Sequence, residues 1–296
     1  MPFHFKKAEP PDRAVRRVCR EHIGEALDGL RQSRHPAAIH GVRKEIKKLR
    51  AIFQLVQGGM SRGGYRRVTR PLRRAADRLA VPRDAWVMLQ AFGKLAGGAA
   101  SRRFPELRKT LQKHYRSTNQ EFRDDDAIAV AKRNLRKIKR RLAGLEIDAN
   151  SWAAIEPGLR RSYGRGRQAA ELARRQPSAE NFHDWRKRVK NLGYQLRLLC
   201  PEWPASARGM TDKLEQLGEV LGDDHDLDLL QEFAAAHAAG QSGEAGELNR
   251  LIVARQRQLR TTAFRLGSLL YAGRPAFHCR HLGNYWNDWH GEAFQK

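Results

Sequence analysis

The sequence predicts an all-α fold of about ten helices arranged in two similar halves. Three observations carry this reading. Apolar residues recur at three- and four-residue steps nearly throughout, with little β-branched alternation. Prolines and glycines cut that pattern into helix-length pieces. One basic word is written twice: His40-x-x-Arg43-Lys44-x-x-Lys47-x-Leu49 returns 143 residues later as His183-x-x-Arg186-Lys187-x-x-Lys190-x-Leu192.

The first helix, 11–32, stops ahead of Pro36, and the second, 37–57, runs from that proline to Gly58-Gly59. A long third, 65–97, lies between Gly63-Gly64 and Gly97-Gly98 and reads through Pro82. The fourth, 104–121, opens around Pro105, and the fifth, 126–143, stops at Gly144. Then come 152–175, ending before Pro177, and 178–200, bounded by Pro177 and Pro201. The next, 205–238, lies between Pro204 and Gly240, and the last two, 243–271 and 275–290, are parted by Gly273 and Pro275. Five helices fall on each side of 144–151, giving halves at 10–145 and 150–290.

The repeat reaches beyond the word itself. The stretch 159–176 precedes His183 much as 16–32 precedes His40. Phe53 and Leu55 follow the first copy as Leu196 and Leu198 follow the second. Leu79-x-x-x-Arg83-Asp84 corresponds to Leu221-x-x-x-His225-Asp226, at an offset of 142. Features in one order at a nearly constant offset make an internal duplication, and similar halves are expected to pack with a pseudo-twofold relation.

Charge is the outlier of the composition. Lys and Arg number 57 against 32 Asp and Glu, a net +25, while 41% hydrophobic residues suffice for a core. Such an excess repels itself in a compact state and points to an acidic partner: nucleic acid, an anionic surface or a phosphate polymer. Cys19, Cys200 and Cys279 form no CxxC and no paired pattern, as expected of thiols in a reducing compartment. The N-terminus lacks the apolar stretch of a signal peptide and no window is apolar enough to span a membrane, so a cytoplasmic location is expected.

On the second helix His40, Arg43, Lys47 and Arg50 form one stripe, beside an apolar face of Val42, Ile46, Leu49, Phe53 and Val56. The second copy aligns His183, Arg186, Lys190 and Arg197 beside Trp185, Val189, Leu192, Leu196 and Leu199. Each stripe is roughly 15–20 Å long at about 1.5 Å per residue, which suits a run of phosphates. Arginine offers a forked donor and lysine a mobile point charge. A single charged stripe is usually a solvated face. Two copies, both on the shoulder of a buried face, point to anion binding.

Other readings are plainer. His40 and His183 have no ligand partner at i+4, so they read as phosphate contacts or hydrogen-bonded interface histidines, not metal ligands. Asp84 and Asp226 read as helix-start or ion-pair residues, each after a turn signal (Pro82, or Gly222-Asp223). Arg66-Arg67, Arg70 and Arg73-Arg74, then 132–141 and Arg160-Arg161, Arg165 and Arg167, add positive field. The aromatic run 285–289 reads as a docking helix. There is no GxxxxGK[ST] loop, strand-linked GxGxxG, zinc spacing or GxSxG. No catalytic residue, cofactor or metal is expected.

These words resemble the CHAD domain, the conserved histidine α-helical domain, over about residues 10–290. The matching positions are His40-x-x-Arg43 with Lys47, Lys48 and Arg50, and His183-x-x-Arg186-Lys187-x-x-Lys190-x-Leu192-x-Tyr194. LRRSYGRGRQA before the second copy and LGDDHDLDLL after it add to them. The resemblance implies two bundle-like halves related by a pseudo-twofold axis, enclosing a basic cleft or pore that binds inorganic polyphosphate. It carries Arg43, Lys44, Lys47, Arg50, Arg186, Lys187 and Lys190 over as phosphate contacts. His40, Lys48, Arg70, Arg73, Arg165, His183, Tyr194 and Arg197 complete the candidate set. It further implies association with polyphosphate granules.

The sequence departs from the family pattern twice: Gly193 answers Arg50, and His225 stands where Arg or Asn commonly precedes the Asp. The ExExK signature of the CYTH triphosphatase domain of some relatives is absent, so the standalone binding form is expected. Two other functions compete. A nucleic-acid-binding helical protein is favoured by net charge and the 132–141 run, against the lack of a recognised reader motif. A metal-dependent phosphohydrolase would use His183, Asp184 or Asp226.

Overall fold

The structure, a computed structural model, describes residues 3–7, 9–32, 36–97, 100–124, 126–148, 151–199, 205–237 and 242–294. Every regular element among them is helical. The first half holds α1 (Pro11–Gln32), α2 (Pro36–Leu55), a 3-10 turn (Val56–Gly59), α3 (Arg62–Arg78), α4 (Val81–Ala96), α5 (Ala100–Arg103), α6 (Pro105–Asp124) and α7 (Ala127–Arg141). The second holds α8 (Trp152–Arg175), α9 (Ala179–Leu199), α10 (Ala205–Ala236), α11 (Ser242–Leu270) and α12 (Pro275–Phe294). Cys200, Pro201, Pro204, Gly98 and Gly240 lie outside the described residues.

The helix expected over 65–97 is two helices. The chain closes α3 with three-residue turns, Leu79 N–H to Ala76 O (3.2 Å) and Ala80 N–H to Asp77 O (3.3 Å). Pro82 then sits in the first turn of α4, where its missing N–H costs no helical hydrogen bond. The short α5 is the other addition, so seven described helices precede the 144–151 connection and five follow it.

The duplication has a packing counterpart. α1 lies on α2 as α8 lies on α9; α2 meets α9 directly and α4 meets α10. The buried faces are those the periodicity marks: Val42, Ile46, Leu49 and Phe53 on α2, Trp185, Val189, Leu192 and Leu196 on α9. These join the main core, which also takes in Trp286 and Trp289 of α12. A smaller core brings Met88 and Phe92 of α4 and Leu107 and Leu111 of α6 against Leu227, Leu230 and Phe233 of α10 and Ile252 of α11. Each core draws on both halves, so the halves are repeats in sequence but share one packing. Truncating Phe92 to Ala would cost about 3–5 kcal/mol and loosen α4 on α10.

Cys19 and Cys279 are free and buried, and burial pushes the Cys279 thiol up to about 12. No described helix is long and apolar enough to cross a membrane.

Candidate functional site: a cationic cavity between α2, α9 and α10

The buried stripes of α2 and α9 fix which way their charged shoulders turn. Seating Ile46 and Leu49 in the core points Lys44 and Lys47 towards α9, and seating Val189 and Leu192 points Arg186 and Lys190 towards α10. The result is a cavity of about 210 Å³. His40, Lys44 and Lys47 line it from α2, and Arg186, Lys190 and Arg197 from α9. Tyr194 and Gly193 form wall between them; a Cβ at Gly193 would be 3.8 Å from that of Leu214, so the residue answering Arg50 leaves open volume in the site.

The third wall was not legible in the sequence. α10 supplies Thr211, Glu215 and Glu219. It also supplies two glycines one turn apart: a Cβ at Gly218 would stand 2.7 Å from Lys190 Cε, and one at Gly222 3.4 Å from Arg186 Nε. The cations of α9 therefore lie flat along α10. The available signal was the four-residue spacing of Gly218 with Gly222 and of Glu215 with Glu219 in one helix.

Five Lys and Arg side chains face two carboxylates here, an excess of three positive charges. Burial, and then the neighbouring Arg186, pulls the Lys190 ammonium below its ordinary pKa. Arg197 ion-pairs with Glu215, and that hydrogen bond holds the Glu215 carboxyl below the usual carboxylate range. An anion entering would relieve the crowding around Lys190 and compete with Glu215 for Arg197. Guanidinium forks and mobile ammonium groups on three sides suit a multiply charged oxyanion.

The remaining candidates lie outside this lining. Arg43 Nη1 donates to Ala76 O at 2.7 Å, tying α2 to the last turn of α3. Lys48 is held by Glu45 at 2.9 Å and stands 5.2 Å from the centre of the Phe3 ring. Lys187 pairs with Asp184 at 3.5 Å. Arg50 and Arg165 gather with Arg161 around Tyr65, whose phenol burial pushes up and these cations pull down. Arg70 and Arg73 are exposed on α3, Arg73 being 3.9 Å from Asp77.

The histidines face the other helix of each repeat. His183 packs on His225, ring centres 4.1 Å apart, and His40 lies 6.1 Å from the Trp86 ring. Asp84 is in the first turn of α4, as expected of a helix-start acid. Asp226 is not one. It lies deep in α10, because Gly222-Asp223 continues the helix, with Gly222 against Arg186. Asp226 lines a second cavity, about 540 Å³, which shares His40 and Arg186 with the first.

His183-Asp184 and His225-Asp226 are not part of the tight ligand group that the described residues hold. Among the described residues, His22, Glu25 and Glu45 place their ligand atoms within 4.8 Å of one another. His22, fully buried, has Nδ1 2.5 Å from Glu45 Oε2 and 3.1 Å from Glu25 Oε2. Burial would raise the Glu45 carboxyl, but the hydrogen bonds from His22 and Lys48 bring it below its ordinary value. Lys48 already supplies a cation there.

No curated protein matches the chain. Among solved structures that share its fold, two superpose along almost the whole chain. A crystal structure of the CHAD domain from the plant Ricinus communis superposes with a TM-score of 0.68 at 18% identity, over 93% of this chain and 96% of that one. PptA from Streptomyces chartreusis superposes with a TM-score of 0.59 at 15% identity, over 97% of this chain and all of the other (100%). The family model described as CHAD domain matches residues 14–235, a span that contains both basic words, both repeat-placed acids and the whole lining of the cationic cavity. On that match the chain belongs to the CHAD domain family.

Proposed function

We propose that this protein binds inorganic polyphosphate, without catalysis, in the cavity between α2, α9 and α10. One observation carries the reading: Lys44, Lys47, Arg186, Lys190 and Arg197, from two repeated helices, converge on one cavity. Family membership supports it. A chain ligand fits better than one phosphate, because the lining cations are spread over about three turns of α9, from Arg186 to Arg197, and over Lys44 and Lys47 of α2. Its location is then with cytoplasmic polyphosphate, granules included.

The test is charge reversal. Lys47→Glu with Lys190→Glu should abolish retention on immobilised polyphosphate while circular dichroism keeps its helical signal. Retention by that pair would reject the site. Wild-type affinity should fall steeply with salt, since each neutralised phosphate releases a counterion. Incubation with polyphosphate and Mg²⁺ or Mn²⁺ should release no orthophosphate; release would favour the hydrolase.

One observation favours nucleic acid as a second ligand. Lys132, Arg133, Arg136 and Arg140 of α7 line an open hollow of about 430 Å³ on the surface. Duplex DNA competing equally with polyphosphate, and losing that ability in Lys132→Glu with Arg136→Glu, would assign nucleic acid to that face.

A further inference from the structure

The second cavity is not built for a bare phosphate chain. One wall is apolar: Trp86, Ala91 and Leu95 of α4 face Leu227 of α10 and Leu259 of α11. Its acids, Asp223 and Asp226, stand among Lys94, Arg186 and Arg255, so it lacks the strong cationic excess of the first cavity. A chain of phosphates therefore gains nothing from the indole and less from the charges here than from those of the first cavity. The volume, about 540 Å³, is that of a small-molecule pocket, and its apolar side faces a comparable set of polar and charged groups.

The two cavities meet. His40 and Arg186 line both, and the His40 ring lies 6.1 Å from that of Trp86. Lys94 bridges from α4 to Asp223 at 3.5 Å, at the edge of the hollow. A ligand that fills both must have an oxyanion run at one end. At the other it needs a flat, partly apolar body carrying hydrogen-bond donors. A nucleoside has these features: a base to stack on indole, and ribose hydroxyls or an exocyclic amine to donate to carboxylates.

We propose that the site accepts nucleoside oligophosphates, with the phosphates among Lys44, Lys47 and Lys190 and the nucleoside against Trp86. This rests on the polyphosphate reading for the phosphate half and adds a second subsite to it. His40 and Arg186 then hold the phosphate nearest the ribose, which is where both cavities share their lining.

Calorimetric titration with adenosine 5′-tetraphosphate and with inorganic tetrapolyphosphate, at equal ionic strength, tests this. The adenosine compound should bind roughly tenfold more tightly, the scale of one base stacked on an aromatic ring. Trp86→Ala should erase that advantage and leave inorganic tetrapolyphosphate unchanged. Trp86→Phe, which keeps an aromatic ring in the same packing, should retain part of it and serves if the alanine variant unfolds. Equal affinities in the wild type, or an advantage that survives both substitutions intact, would overturn the proposal. Lys47→Glu with Lys190→Glu should weaken both ligands; a nucleotide that still binds that pair lies elsewhere and overturns it too. If inorganic tetrapolyphosphate does not bind at all, the polyphosphate reading itself fails. If it binds and the adenosine adds nothing, only the nucleoside subsite fails.

Discussion

The stem of Lys190 lies across Gly218, so closely that a Cβ there would sit 2.7 Å from Lys190 Cε and 3.0 Å from its Nζ. This contact lays Lys190 along the α10 wall of the cationic cavity. A helix interior usually disfavours glycine by roughly 0.5–1 kcal/mol relative to alanine. Here the glycine makes room for the Lys190 stem along α10, which on the proposed polyphosphate reading leaves the cavity open to the ligand.

Gly218→Ala separates the two roles. The clash is with the far end of a flexible side chain, so the fold should tolerate it. Stability should hold, or rise by up to about 1 kcal/mol through the better helix propensity. Polyphosphate affinity should fall several-fold because the ammonium is displaced. Thermal melting and calorimetric titration of the same sample check both; a variant that binds as well as wild type would remove Gly218 from the site.

Lys190 itself works against the fold. Burial first, and Arg186 second, lower its pKa from the ordinary 10.5. In the window between the lowered value and 10.5 the unfolded chain holds the extra proton, so stability rises with pH there. Below that window the full cost of the buried charge stands. Lys190→Met should therefore melt about 2 °C higher near neutral pH, with the gap closing towards pH 10.5. Its polyphosphate affinity should drop roughly tenfold, the scale of one charge-assisted hydrogen bond. A lower melting temperature near neutral pH would contradict the assigned cost.

Glu215 restrains the site from the opposite wall. Its carboxylate holds Arg197 and lies near Lys190 and Lys44. Glu215→Gln removes the negative charge and frees the guanidinium for the ligand. Polyphosphate should bind several-fold more tightly, and the slope of log K against log salt should steepen by about 0.7–0.9, as for one more neutralised phosphate. An unchanged slope would mean that Arg197 does not reach the ligand.

The two basic helices were legible because a 3.6-residue period fixes which side of a helix is buried, and the duplication repeats that fixing. Val42, Ile46 and Leu49 had to face inward, so Lys44 and Lys47 had to stand at the border. Periodicity does not say what opposes each shoulder. Arg43 meets the end of α3 and Lys48 meets Glu45, though both belong to the same word as Lys44 and Lys47. The α10 wall was hidden for the same reason. Gly222-Asp223 resembles a turn until Arg186 is known to lie on it. The break between α3 and α4 was equally local: Pro82 suits the start of a helix as well as an interruption. Pairing α4 with α10, which creates the second cavity, is a long-range contact that carries no periodic signal.

The acids of α10 divide by the face they occupy, and the inner pair sets a pH dependence of its own. Asp224 and Asp228 share Arg260, at 2.8 and 3.4 Å, and Asp228 accepts from Gln256 at 2.6 Å. Burial first, and the charge of Asp224 second, push the Asp228 carboxyl from 3.8 up to about 6. Between these values the folded chain holds a proton that the unfolded chain releases. The stabilisation is thus complete below pH 3.8 and is lost as pH rises through about 6. Near neutral pH Asp228 is a buried charge sharing one arginine with another. Asp228→Asn keeps an oxygen for Gln256 and carries no charge at any pH. It should stabilise the protein by about 1 kcal/mol near neutral pH, or roughly 2–4 °C in melting temperature, and by much less near pH 4. Melting curves of both proteins across that range are the check. A constant offset between them would show that Asp228 does not titrate in this window, and a destabilised variant at neutral pH would show that its ion pair with Arg260 outweighs its burial.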